Sequence, residues 1–210
     1  MGDRLRGAAG WWRVLALAIA LAAPAAEPAP ARAQLKDILV APKTLIDRAI
    51  EARSAADIAR DNEIVLKVNA IMAELGTIKA STEIYEQRLL VTGLFDDKAT
   101  YDDFERKVRA VEGVKTLYWH VAYMSAARRK REAHRVMDWT DVLAMEAKAE
   151  ARLIGTRGVA DVNFRIAADA LGAVYLLGRA RSKEEHAKAV ARAGEGDGVR
   201  KVIDYVEVRP

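Results

Sequence analysis

The chain contains no cysteine. Disulfides, thiol nucleophiles and sulfur-ligated metal sites are therefore excluded, and stability rests on packing alone. The same absence removes the residue that bacterial lipid attachment requires. Histidine is almost as scarce, with three residues in 210. His120, His134 and His186 share no ligand spacing and no common acidic neighbour, so neither a metal nor a catalytic role is expected of them, and no cofactor is implied. No nucleophile–base pair and no placed pair of carboxylates stands out, and the expectation is a protein that is not an enzyme. A long apolar run is missing too. Residues 14–26, "VLALAIALAAPAA", fall short of the roughly 20 residues that a bilayer-crossing helix needs.

That short run nevertheless has a distinctive setting. Arg4, Arg6 and Arg13 precede it, and the small-residue sequence "ARA" follows at 31–33. Charged, apolar and A-x-A segments in that order read as a secretory signal peptide over 1–33. The rival reading is an N-terminal anchor. Export to the periplasm is the expectation. Residues 34–56 read as an extension with a helix, in which Pro42 suits the first turn and Leu45, Ile46, Ala49 and Ile50 form an apolar stripe.

Positive charge is present but not spread. The formal net charge is +4, and without residues 1–33 the balance is 30 cations against 28 anions. Five cations and one anion lie within "AARRKREAHR" at 126–135, leaving the remainder slightly acidic. A nucleic-acid binder carries a basic stripe across a folded face, so nucleic acid is not an expected partner. Arg128, Arg129, Lys130, Arg131 and Arg135 form a local cluster instead. It reads as a solvated linker or helix extension, or as a contact for anionic lipid head groups.

The most informative feature is a repeat. Gly93 in "LLVTGLF" and Gly178 in "VYLLGRA" are 85 residues apart, as are Gly113 in "VEGVKTLYWHV" and Gly198 in "GDGVRKVIDYV". Val91 meets Leu176, Val114 meets Val199, Leu117 meets Val202 and Val121 meets Val206 at the same spacing. Each copy reads as helix, strand, strand, helix, strand. In the first, Ile64, Val68, Ile71 and Leu75 share a helical face with Gly76 at its end. Ile78, Ala80, Thr82 and Ile84 then alternate as in a strand, and residues 98–111 return to helical spacing. In the second, Trp139, Val142, Met145, Ala149 and Leu153 trace a helix for which Asp138 or Thr140 is a candidate cap, and Ser182 is placed to cap the next. The predicted fold is α+β: two tandem α-β-β-α-β units, each a small three-stranded sheet with two helices, at 57–125 and 138–210, joined by a basic connector at 126–137.

Other clusters have plain explanations. The acids of "FDDK" and "YDD" lack the alternating oxygen ligands and the bend glycine of a calcium loop, and read as acids at a helix start. "GEGDG" follows a helix, whereas a phosphate loop precedes one. Gly113 and Gly198 are expected to end the second helix of each copy, with Val114 and Val199 starting the final strand.

These glycine strands and "EGVKTLYWHV" and "DGVRKVIDYV" resemble the BON domain of bacterial envelope proteins, across about 57–125 and 138–208. The usual V-x-G-V is met by Val111, Gly113 and Val114; the second copy has Gly196 where the first valine is expected. The resemblance implies a periplasmic, non-enzymatic protein that touches phospholipid surfaces and maintains the envelope under osmotic stress. An anionic phospholipid surface is then the expected partner, with other envelope proteins as the alternative. It implies no catalytic residue.

Overall fold

The protein is described here from a computed structural model covering residues 51–76 and 79–210. The expected signal peptide, the helical stripe following Pro42, and Ile78 lie outside the described residues. The elements are α1 (Ala55–Glu74), β1 (Ala80–Tyr85), β2 (Arg88–Phe95), α2 (Lys98–Arg109) and β3 (Thr116–Tyr123), then α3 (Ala126–Arg131). After these come α4 (Trp139–Ile154), β4 (Phe164–Ala168), β5 (Ala173–Ala180), α5 (Lys183–Ala193) and β6 (Lys201–Val208). The helix–strand–strand–helix–strand order thus occurs twice. In each three-stranded sheet the middle strand pairs antiparallel with the strand before it and parallel with the one after it. A crossover helix, α2 or α5, makes the parallel return possible.

Local chemistry explains the helix limits. Ser54, Asp97 and Ser182 each accept a hydrogen bond from a backbone N–H of the first turn they cap. Asp138 is the residue before α4, but its side chain makes no capping hydrogen bond. Asp97 and not the later acids begins α2. Asp102 and Asp103 lie inside the helix, paired with Lys98 and with Arg106 and Lys107. Such exposed pairs contribute little to stability.

The alternating strand pattern expected for β1 is absent from its burial, and β2 is buried along its whole length. The reason is that both faces of the sheet are covered. Leu89 and Val91 face α1 and α2, beside Ile64, Val68, Phe104 and Val108. Leu90 and Tyr85 face the other way, onto Ala167, Ala173, Tyr175 and Leu177 of the second sheet. The two sheets therefore stack face to face with their helices outside, and the two repeats share a core. Polar groups fix this stacking. Arg88 donates from Nη1 to the Tyr205 carbonyl (2.9 Å) and from Nη2 to that of Gly178 (2.8 Å). Thr92 donates to the Ala168 carbonyl at 2.9 Å, and the Tyr118 and Tyr205 rings stack at 3.9 Å.

Candidate functional site

The repeated glycines are architectural. A Cβ on Gly93 would lie 2.7 Å from the Lys79 carbonyl oxygen, and one on Gly178 only 2.1 Å from that of Asn163. Each central strand therefore carries glycine where the preceding chain crosses it closely. Gly113 and Gly198 do not end helices, contrary to the sequence expectation. The helices stop at Arg109 and Ala193, and these two glycines form left-handed turns further on, at φ of 93° and 86°. Val114 and Val199 precede the final strands and pack against the two cores instead of starting the strands.

The basic connector is ordered. Ser125 caps it, accepting from the Arg128 N–H, and α3 forms one and a half turns before a 3-10 turn at Ala133–Arg135. Its end is tied to the second repeat: the Met137 N–H donates to the Ala170 carbonyl at 2.8 Å. Arg128, Lys130, Arg131 and Arg135 are exposed, and Arg129 is half-buried. Among the described residues two acids lie close. Glu132 accepts from Arg128 Nε at 2.8 Å, and Asp96 is 4.0 Å from Arg129. Hydrogen bonding to Arg128, with the nearby charges of Arg128, Arg135 and Arg131, holds the Glu132 carboxyl below its ordinary range. A further cation, Arg200, reaches this region from the start of β6 and donates from Nη1 to the Arg135 carbonyl at 3.1 Å. In the repeat it stands 85 positions after Lys115.

The aromatic residues flanking the connector are mostly committed elsewhere. Trp119 packs on Phe104 and donates to the Tyr101 hydroxyl at 3.2 Å, and Trp139 packs against the second core. Tyr123, at the end of β3, is exposed. The histidines are dispersed. His120 faces the other sheet, 2.7 Å from the Tyr205 hydroxyl; His186 contacts Asp204 at 2.5 Å; His134 is exposed on the connector. Among the described residues no group of three or more His, Asp or Glu is placed to hold a metal ion.

A cleft of about 410 Å³ opens at the opposite strand ends, lined by Asp57, Glu86, Arg88, Lys115, Thr116, Glu207 and Arg209. Its charges largely cancel, since Arg209 pairs with Glu86 and Glu207, and Arg88 with Glu207. Among the described residues the connector therefore carries the larger uncompensated charge.

The chain is 27% identical over 150 residues to a protein of Anaplasma centrale described as "Uncharacterized protein in gshII 5'region", covering 71% of this chain and 95% of that one. Two solved structures of CdsD, a structural protein of the type III secretion system of Chlamydia trachomatis, align with 70% of this chain at 10% and 12% identity. They are covered to 93% and 98%, with a TM-score of 0.29 in both cases. That score is too low to carry an argument. The family model described as "BON domain" matches residues 141–210, which form α4 to β6 apart from two residues, so that a BON domain is detected within the second repeat.

Proposed function

We propose that this is an exported, non-enzymatic envelope protein that associates with anionic phospholipid surfaces and supports envelope integrity under osmotic stress. The observation that carries the reading is the ordered cluster of Arg128, Arg129, Lys130, Arg131 and Arg135, which has few acidic partners and borders a BON domain. Each cation near an anionic membrane contributes about 1 kcal/mol, so the cluster holds the protein weakly and without spanning the bilayer. No helix among the described residues is long and apolar enough to cross a membrane.

Co-sedimentation tests this reading with vesicles of phosphatidylcholine alone and of phosphatidylcholine with phosphatidylglycerol. The protein is expected to pellet with the anionic vesicles and to be released by salt, which screens the attraction. Replacing Arg128, Arg129, Lys130 and Arg131 by glutamine should weaken binding by at least about tenfold. Equal binding to both vesicle types, or an undiminished quadruple variant, overturns the mechanism. Capture of another envelope protein without vesicle binding favours a protein-docking role instead.

A further inference from the structure

Resting on that lipid-surface reading, we infer that the β4–β5 hairpin tip is the part of this protein that enters the bilayer interface, with Leu171 as the inserted side chain. Leu171 is 39% exposed, while its neighbours Ala170 and Ala173 are buried. A single exposed leucine is ordinary by itself. Its support is what distinguishes it. The Asp169 carboxylate accepts from the N–H groups of Leu171 (2.8 Å) and Ala173 (3.0 Å) and from the Tyr175 hydroxyl (2.7 Å). Thus the one acid in the loop is turned inward and stiffens the tip, so little conformational freedom remains to be lost on insertion.

A cation adjoins the same tip. Arg200 donates from its backbone to the Gly172 carbonyl at 2.7 Å and from Nη1 to the carbonyls of Leu171 (3.3 Å) and Arg135 (3.1 Å). One guanidinium therefore ties the apolar tip to the end of the basic connector. The first repeat offers a contrast. Its hairpin turn is only Glu86 and Gln87; Gln87 is buried, and Glu86 is paired with Arg209. The second hairpin is longer, apolar at its tip, and beside that cation. An apolar side chain beside a guanidinium and the end of a basic connector suits the boundary between anionic head groups and acyl chains.

The absence of cysteine makes the test direct. The full chain carrying Leu171→Cys is labelled with an environment-sensitive dye and mixed with phosphatidylcholine–phosphatidylglycerol vesicles. The dye should shift to the blue and be quenched by spin-labelled acyl chains. The same label at Leu66→Cys, on the exposed side of α1, should stay unchanged. Leu171→Ser should weaken vesicle binding about three- to tenfold with the thermal transition unmoved, and Leu171→Met should retain it. A protein that co-sediments while the Leu171 label stays silent overturns insertion here and leaves surface association standing. A protein that does not co-sediment overturns both.

Discussion

The two repeats have the same strand order but differ in how each closes its first hairpin and fills its core. The first repeat stacks Phe95 on Phe104 at 5.3 Å and places Tyr101 and Trp119 around them. It holds its two-residue turn with a buried carboxylate: Asp61 of α1 accepts from the N–H groups of Glu86 and Gln87, from Gln87 Nε2 at 2.8 Å and from Arg53 at 3.0 Å. The second packs alanines, Met145 and Phe164 against its helices, and its loop is held by its own Asp169. A turn clamped by a distant helix is fixed as part of the core. A turn clamped from within can project beyond it. The common topology thus tolerates two hairpin ends, one tied to a helix and the other carrying an exposed leucine at its tip.

Substitutions can break or sharpen that contrast. The largest effect is expected at the central-strand glycines, where an added methyl meets backbone that cannot swing aside. Gly178→Ala should cost more than about 3 kcal/mol and Gly93→Ala less, following the 2.1 Å and 2.7 Å approaches. Urea unfolding gives the order directly, and a reversed order contradicts the close-crossing explanation.

Next come the two clamps. Asp61→Asn leaves Arg53 without one of its carboxylates inside the fold and should cost about 2–4 kcal/mol. Asp169→Asn, in a loop with partial access to water, should cost about 1–2 kcal/mol. Similar losses in the two variants would show that the turns are held alike.

The smallest effect concerns pH. Burial pushes the His120 imidazole below its ordinary value; Asp169 opposes this in part, and Lys201 adds to it. As pH falls through about 6.5, the unfolded chain takes up a proton at this residue before the folded one does. Stability therefore declines with falling pH over that step and levels off below the folded pKa. Thermal melts between neutral and mildly acidic pH should show a decline in stability with falling pH that His120→Gln removes. An unchanged pH profile in the variant would remove His120 from the account.

Much of the fold was legible because its signals are local. Helical periodicity placed Ile64, Val68, Val142 and Leu153 on buried faces, and Ser182 was readable as a cap. The glycine spacing disclosed the repeated architecture. The turn glycines were misplaced by a few residues because Ala110 caps α2 without glycine and leaves Gly113 for the following turn. The candidate surface was legible only in part. A run of arginines is visible in any sequence, but the approach of Arg200 across 65 positions to Arg135 is not. Nor is the exposure of Leu171, which sits in an otherwise apolar stretch.

The sequence by itself determined the elements, their duplication and the concentration of charge between the copies, since each depends on residues near one another along the chain. Only the tertiary structure decided that the sheets stack on each other. That stacking buries both faces of β1 and β2 and sends Arg88 across to the carbonyls of the other repeat. It follows from pairing between distant apolar faces, which periodicity identifies one at a time but cannot match to each other.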